Sequence, residues 1–388
     1  MVRQNPLDGT MKFMLTLSGA WPGASSALFC RMFFIVSMIT FQCCRYRYVV
    51  IHMHSATLWD YMDCLSLPLA DCKVFFKCLV LWLNQSKFIE VLTIMKKDWS
   101  DCDNDDISMR KTASKAKTSG RITKIILILH TLSVVGVSIG VILANVDVTS
   151  NTTELIFLTI TKIEVPFDVN TQHTYRFILL TEVCMLFMYA WSAGTTNSLL
   201  LTLTLHTAGQ IDILRYWLTQ LTPSGNASEG ESLAAATTKI IEKHKKIICF
   251  SKNIESLYTH IALLLFVSNM LMICALAFLV VTTIGSPDAT KQIVRSSFFF
   301  VITNLEAYIF CFAGECLKNK SKEIGFAAYN SAWYDMKTKD SRVLLFIMLR
   351  SQKQLTLTAG KMMDLSLQSF TSIINASGSF LSMLLAMR

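Results

Sequence analysis

The chain has 388 residues, of which 52% are hydrophobic and only 16% are charged, and its mean hydropathy is +0.45. This composition excludes a soluble domain with a solvated surface and indicates a membrane protein with several spans. The formal net charge of +9 does not indicate nucleic-acid binding, because the basic residues lie between the apolar segments and are not interleaved with aromatic residues. The twelve cysteines form no Cys-x-x-Cys motif and no Cys/His spacing suited to zinc, so we expect no metal or other cofactor.

Seven apolar segments approach or exceed the roughly 20 residues that a helix needs to cross a bilayer. The sequence therefore predicts an all-α membrane protein with seven transmembrane helices, which form one domain over residues 1–388. In chain order, the predicted spans lie at about 27–52, 65–83, 125–146, 175–205, 257–284, 293–317 and 364–387.

The distribution of basic residues predicts the orientation of these spans. Lysines and arginines are frequent after spans two, four and six and rare after spans one, three and five. The positive-inside rule then places the N-terminus in the cytoplasm and the C-terminus outside the cell. A glycosylation sequon at Asn151 lies in an acidic loop on the predicted outer side, so we expect a glycan there.

The polar segments between the predicted spans lead to further predictions. We interpret residues 84–124 as a polar cytoplasmic loop, and residues 206–256 as helix, break and helix, with the inner end of span four projecting into the cytoplasm. The apolar segment 343–349 is only about a third of the length of a span. It predicts an amphipathic cytoplasmic helix at about 340–351.

The second predicted span contains two lysines, Lys73 and Lys77, one helical turn apart. A charge in the middle of a bilayer costs roughly 2.5 to 3.5 kcal/mol on insertion scales. We therefore expect both side chains to face a cavity, a partner acid such as Glu182, or the membrane interface.

The last predicted span is apolar but rich in hydroxyl and amide groups. These groups need partners that only another helix or water can supply inside a membrane. From this pattern alone, close packing against another helix is the more common outcome, and a water-filled path is the alternative. At helical spacing, the small polar residues fall on one stripe, formed by Gln368, Ser372, Asn375, Ser379, Ser382 and Ala386.

Two other functional classes find little support in the sequence. A secondary transporter is typically built from two related halves, and no internal repeat is visible. An intramembrane hydrolase needs a nucleophile beside a base, but the seven histidines mostly lie at span ends and form no recurring pair. We therefore expect a protein that is not an enzyme.

Several ordered segments resemble insect odorant receptors, and most closely the large hymenopteran set. Upstream, the similar segments are Gly19-Ala20-Trp21-Pro22, Met62-Asp63-Cys64-Leu65 and Lys97-Asp98-Trp99. The C-terminal signature is carried by Cys311-Phe312-Ala313-Gly314-Glu315, Lys320-Ser321-Lys322, Ala328-Tyr329-Asn330-Ser331-Ala332-Trp333-Tyr334, Arg350-Ser351-Gln352-Lys353 and the segments Leu365-Ser366-Leu367 and Ser379-Phe380-Leu381.

This resemblance implies an odorant-gated, non-selective cation channel that assembles as a hetero-tetramer with an obligate co-receptor. It also implies a location in the plasma membrane of olfactory sensory neuron dendrites. The last span of each subunit would line the pore, and the helix at 340–351 would belong to the cytoplasmic anchor where subunits meet. For the polar stripe of the last span, the resemblance therefore favours a water-filled path over close packing against another helix.

The same resemblance implies the pore residues. The gate-region Val, Gln and Leu of the co-receptor correspond to Met383, Ala386 and Met387, and Ser379 lies on the same helix. Two methionines could form a hydrophobic constriction that opens by wetting. Because Ala386 lacks an amide, this subunit is expected to contribute little to selectivity.

The resemblance places the ligand pocket in the outer half of the bundle, among spans two to six. We expect a mostly apolar cavity with one or two polar groups, and no cluster of charges suited to an ionic ligand is visible in that layer. A small apolar odorant or hydrocarbon is therefore the expected ligand. The predicted contacts are Leu67, Val137, Gly140, Ala144, Tyr175, Ile178, Leu179, Phe278 and Phe298.

Two related receptor classes remain as alternatives. A metabotropic, G-protein-coupled chemoreceptor has the opposite orientation, and the chain lacks Asp-Arg-Tyr after the third span and Asn-Pro-x-x-Tyr in the last. A gustatory-type receptor usually has Thr-Tyr near the middle of the last helix and Gln-Phe near its end. Neither pair is present.

Overall fold

The computed structural model describes residues 7–52, 58–102, 105–151, 163–165, 172–221, 233–284 and 289–386. These residues are predominantly α-helical, which confirms the predicted all-α class. The helices are α1 Gly9–Leu17, α2 Ala27–His52, α3 Leu58–Leu83, α4 Gln85–Cys102, α5 Asp106–Asn151, α6 Gln172–Thr219, α7 Leu233–Thr283, α8 Ala289–Tyr329, α9 Thr338–Gln352 and α10 Leu367–Ala386. A short 3-10 helix spans Trp333–Asp335, and the strands β1 Thr358–Ala359 and β2 Met363–Asp364 pair in antiparallel fashion.

The helices α5 to α8 extend well beyond the apolar segments that they contain. The longest, α7, has 51 residues, which corresponds to roughly 75 Å at the usual helical rise. That is more than twice the hydrocarbon thickness of a bilayer, about 30 Å. The predicted break in 206–256 agrees with the structure, because α6 ends at Thr219 and α7 begins at Leu233.

The interpretation of residues 84–124 as a loop is wrong. Most of this segment is helical, as α4 and the first part of α5. The physical reason is amphipathicity: Phe88, Val91 and Met95 recur three or four residues apart and are buried on one face of α4. A high content of charged residues therefore marks the solvated faces of these helices.

Five helical segments within the described part of the chain are long and apolar enough to cross a membrane. Two other helices coincide with predicted spans but carry many polar groups. Helix α3 contains Asp63, Asp71, Lys73 and Lys77, and α10 contains the stripe of hydroxyls and amides. The five segments are Ala27–His52, Asp106–Ile139, His173–Thr219, Leu233–Thr283 and Ser296–Asp335.

A tight turn and one glycine fix the position of α10. Gly360, between β1 and β2, has a φ of +59°, and a Cβ there would lie 2.8 Å from Cδ2 of Leu263 on α7. The Gly360 N–H also donates to the carbonyl oxygen of Thr259, at 2.9 Å. On α8, a Cβ at Gly314 would lie 2.2 Å from the carbonyl oxygen of Leu365, just before α10. Only glycine permits such a close approach of two backbones.

Candidate functional site

A buried network of charges and amides joins α3, α6, α7 and α8. Lys73 and Lys77, which are 6% and 1% exposed, both form ion pairs with Glu306. Their ammonium groups also donate to the side-chain oxygens of Asn269 and Asn197, each at 2.9 Å. Glu306 is therefore the acid that pairs with these lysines, and the suggestion of Glu182 was wrong. The arrangement places two cations against one carboxylate, and the two amides supply the further acceptors that buried charges need.

A cavity of about 100 Å³ lies directly beside this network. Helices α3, α5, α6, α7 and α8 all contribute to its wall. Its lining residues are mostly apolar, with a few polar and charged groups: Leu67, Ala70, Asp71, Lys73, Val74, His130, Ser133, Val134, Val137, Leu186, Tyr189, Ala190, Ala193, Met272, Phe299, Ile302, Thr303 and Glu306.

The nine predicted ligand contacts occupy different environments. Leu67 and Val137 line the cavity. Gly140 and Ala144 belong to the helical backbone of α5, and their surroundings lie outside the part that the structure describes. The remaining five do not line the cavity: Tyr175, Ile178 and Phe278 are buried, Leu179 is half-buried, and Phe298 is 42% exposed with its ring over Gly136.

Of the charged groups at the cavity, the sequence analysis anticipated only Lys73, which it expected to face a cavity, a partner acid or the membrane interface. Asp71, Lys73 and Glu306 line it together with His130. The sequence analysis did not identify Asp71, His130 and Glu306 as neighbours, because these residues come from three helices and converge only in the folded chain. The lysine pair in α3 was the one signal that could have indicated them. Asp71 is itself paired with Arg45 of α2.

One face of α10 packs on the bundle. Ile373 and Ser377 are buried, and the Ser377 hydroxyl lies 3.4 Å from the carbonyl oxygen of Met270 on α7. The Phe370 ring contacts Tyr308 of α8 edge-on, with 5.8 Å between centroids.

The polar stripe of α10 lies on the exposed side. All six members, from Gln368 to Ala386, are exposed. The hydroxyls of Ser372, Ser379 and Ser382 donate to carbonyl oxygens of their own helix. In contrast, the side-chain amides of Gln368 and Asn375 make no hydrogen bond with any residue that the structure describes.

The residues predicted to form the gate lie near the end of this helix. Met383 is 60% exposed, and Ser379 and Ala386 are exposed as well. Met387 lies outside the described residues. The predicted glycosylation site, Asn151, is the last residue of α5, and its side chain is not described.

A second polar cluster joins α4, α6 and α7 beyond the apolar segments. The Asp98 carboxylate lies 3.1 Å from Nε2 of His206, 3.1 Å from Nζ of Lys243 and 2.9 Å from Nζ of Lys246. Burial by itself raises the pKa of Asp98, but these hydrogen bonds and charges outweigh it and hold the pKa well below its usual range. Asp98 and Lys97 belong to one of the segments that resemble odorant receptors.

Comparison with known proteins agrees with this resemblance. The family model for the 7tm Odorant receptor matches residues 60–378. Odorant receptor 10 of Aedes albopictus is 30% identical over 210 residues, which are 54% of this chain and 55% of that protein. Odorant receptor Or2 of Anopheles gambiae is 31% identical over 222 residues, which are 56% of this chain and 58% of that protein. These matches span little more than half the length of the two relatives, and neither relative is hymenopteran.

The fold is also similar to that of a solved structure. The insect olfactory receptor OR5 from Machilis hrabei, in complex with eugenol, superposes with a TM-score of 0.77 over 98% of this chain and 97% of that chain. The sequence identity is 15%, so this likeness concerns the fold alone. Because the family model covers most of the chain, from residue 60 to residue 378, the chain belongs to the odorant receptor family of insects.

Proposed function

We propose that the chain is the odorant-tuning subunit of a non-selective cation channel that acts with an obligate co-receptor in olfactory signalling. Family membership supports the olfactory role. The single observation that carries the channel reading is the exposed stripe of α10, whose amides at Gln368 and Asn375 have no described partner. In hydrocarbon, such amides would each cost free energy. Water in a pore lined by several subunits would satisfy them.

The proposed pore residues are Ser379, Met383, Ala386 and Met387. Exposure of the first three on α10 supports this assignment. The proposed cytoplasmic anchor is α9, where subunits of a hetero-tetramer with the co-receptor would meet. Its exposed Leu345, Phe346 and Leu349 offer an apolar surface for such contact.

Whole-cell current in cells that express this chain with and without the co-receptor tests the channel. We expect a fast cation current in response to apolar volatiles or long-chain hydrocarbons, only when both subunits are present. Met383→Ala should change the conductance or the gating of that current. An odorant response that persists with the co-receptor but is carried by a G protein would contradict the proposal and favour a metabotropic receptor.

The proposed orientation has seven spans, with the N-terminus in the cytoplasm and the C-terminus outside, in the plasma membrane of olfactory sensory neuron dendrites. It follows from the excess of basic residues after spans two, four and six. A tag on Arg388 should be accessible on intact cells, and Asn151 should carry a glycan. Three other sequons, at Asn84, Asn226 and Asn319, lie on the proposed cytoplasmic side. A glycan at any of them would contradict this orientation.

The proposed ligand site is the cavity beside Glu306, and the proposed ligand is a small apolar odorant or hydrocarbon. Eugenol in the structure of the Machilis hrabei receptor supports a small organic ligand for this fold. The cavity measures about 100 Å³, whereas ligand pockets usually measure about 300 to 1,000 Å³. Odorant binding should therefore require side chains to move apart. Of the predicted contacts, Leu67 and Val137 have the strongest support, because they line the cavity.

Filling the cavity tests this assignment. Val137→Phe should place a ring in the cavity and raise the odorant concentration for half-maximal current at least about tenfold, because it removes the space that a ligand needs. Ile139→Phe is the matched control, since Ile139 lies two residues away and is 51% exposed. Equal responses from the two variants at equal surface expression would argue against this cavity.

A further inference from the structure

A second and larger cavity lies at the basic end of the bundle, where its lining on α5 ends at Lys124, before the lining of the proposed odorant site begins at His130. Its volume is about 660 Å³, within the range usual for small-molecule sites. Residues of α1, α4, α5 and α6 line it. The odorant-gated channel proposed above makes no use of this cavity.

The charges on its wall are mostly cationic and mostly unpaired. Lys117, Arg121 and Lys124 line the cavity, are exposed, and form no ion pair with any residue that the structure describes. Their spacing of four and three residues places them on one side of α5. Lys115 also lines the cavity, but its Nζ lies 3.5 Å from Oδ2 of Asp212. Among the described residues that line the cavity, Asp8 carries the one carboxylate, so the described wall has a cationic excess.

The rest of the wall suits an amphipathic ligand. Met11 and Met95 are each 2% exposed and contribute an apolar surface. Trp99 is 7% exposed, and its indole N–H has no hydrogen-bond partner within the described residues. A buried donor without a partner is uncommon and calls for a bound group or an ordered water.

The position of the cavity along α5 indicates the source of the ligand. Lys124 is the last basic residue before the apolar segment that begins at Ile125. In the proposed orientation, which this inference adopts, the cavity lies at the depth of the headgroups of the inner leaflet. Basic pockets between transmembrane helices on that side are suited to phosphorylated headgroups.

We propose that this cavity binds the phosphorylated headgroup of an anionic membrane lipid. Arg121 can contact a phosphate with two parallel N–H bonds, and Lys117 and Lys124 add point charges. The apolar wall at Met11 and Met95 faces the part of the lipid nearest to its glycerol. A phosphoinositide matches this combination, because it joins a multiply charged headgroup to an apolar body.

Binding of a short-chain phosphatidylinositol bisphosphate to the purified full-length chain in detergent tests the proposal. A fluorescent derivative allows the dissociation constant to be measured by polarisation, with short-chain phosphatidylcholine as the neutral comparison. The variant Lys117→Gln/Arg121→Gln/Lys124→Gln should bind about a hundredfold more weakly, since each basic residue near a phosphate contributes roughly fivefold. These side chains are exposed, so the unfolding temperature should stay nearly unchanged.

The matched control is Lys96→Gln/Lys97→Gln/Arg110→Gln. It removes the same three charges from exposed positions of α4 and α5 that do not line the cavity. We expect the dissociation constant of this control to rise by less than about fivefold, because it loses only the non-specific electrostatic attraction between the chain and the lipid. Equal weakening in both triple variants, or no binding to the unaltered chain, would overturn the proposal.

Competition with inositol trisphosphate separates the two sources of the phosphate. If the free headgroup displaces the probe as well as the short-chain lipid does, a soluble phosphate suffices. If the short-chain lipid displaces the probe at a much lower concentration than inositol trisphosphate does, the apolar wall contributes to binding. The assay uses neither odorant nor co-receptor, so failure of the proposed channel function leaves its result intact. A reversed orientation would likewise appear in the Arg388 tag experiment while binding in detergent persists.

Discussion

Helices α3 and α10 both contain polar groups within apolar sequence, but the two lysines of α3 are buried and the polar stripe of α10 is exposed. In α3, Lys73 and Lys77 are buried and paired with Glu306 of the same chain. In α10, Gln368 and Asn375 are exposed and have no partner among the described residues. A polar group within a membrane helix is therefore either satisfied inside the subunit or left for something outside it. Burial distinguishes the two cases.

The largest expected effect on stability follows from removing the partner of the buried lysines in α3. Within the described part of the chain, Glu306 is the one carboxylate that pairs with both lysines. Glu306→Gln removes it, and leaving buried charges unpaired typically costs about 3 to 5 kcal/mol. We expect loss of folded protein, measured by thermal unfolding in detergent and by surface expression. Glu242→Gln is the control, because Glu242 is exposed on α7 and should change stability by less than about 0.5 kcal/mol. Equal stability of the two variants would show that the lysines find other partners.

The next effect comes from separating α10 from the bundle. Gly314→Ala would place a Cβ 2.2 Å from the carbonyl oxygen of Leu365, a backbone atom that cannot move without the start of α10. Overpacking of this kind costs about 1 to 3 kcal/mol, and we expect the upper end. Thermal unfolding and odorant-evoked current should both be impaired. Gly9→Ala serves as the control, since no atom lies within 4 Å of its added Cβ; identical unfolding temperatures would contradict the close contact.

A smaller effect on stability concerns a third case. His244 is a buried polar group that lies outside the predicted spans and has no hydrogen-bond partner among the described residues. Burial, and then the charge of Arg350, lowers the pKa of His244 on α7 from 6.5 to about 4. As the pH falls below 6.5, the unfolded chain binds a proton that the folded chain does not, so stability decreases by about 1.4 kcal/mol per pH unit. Between about pH 7.5 and about pH 5, the loss is about 2 kcal/mol.

Thermal unfolding at the two pH values measures this loss. His244→Phe should unfold with a weaker pH dependence than the unaltered chain, because the titrating group is gone. Thr238→Ala, at an exposed position of the same helix that carries no titrating group, should leave the pH dependence unchanged. An unchanged pH dependence in His244→Phe would mean that another group is responsible.

The smallest expected effect on stability is that of Ser379→Leu, and Ser377→Leu on the other face of α10 is its matched comparison. Ser377 is 2% exposed on the packed face, whereas Ser379 is exposed on the stripe. Ser377→Leu should destabilise the fold by about 1 to 3 kcal/mol through overpacking. Ser379→Leu should change stability by less than about 0.5 kcal/mol but reduce the odorant-evoked current. Equal currents from Ser379→Leu and the unaltered chain would argue against a pore on this face.

Much of the helical architecture was predictable because apolar segments and amphipathic spacing are properties of neighbouring residues. The segment 27–52 coincides with α2, and the helix predicted at 340–351 lies within α9. Residues 84–124 were misread because their charges suggested a loop, although Phe88, Val91 and Met95 carried a helical period. Of the predicted ligand contacts, Leu67 and Val137 line the cavity, whereas Phe298 is exposed.

The amino-acid sequence by itself determined that the protein is α-helical, rich in membrane-type helices and similar to odorant receptors, since composition, apolar length and ordered motifs are all local features. It also determined which residues of α10 share a stripe, because that depends only on helical geometry. Only the tertiary structure decided that Lys73 pairs with Glu306, which is 233 residues away. It alone placed the polar stripe of α10 on the exposed side, because both outcomes depend on which helices become neighbours and how each is rotated.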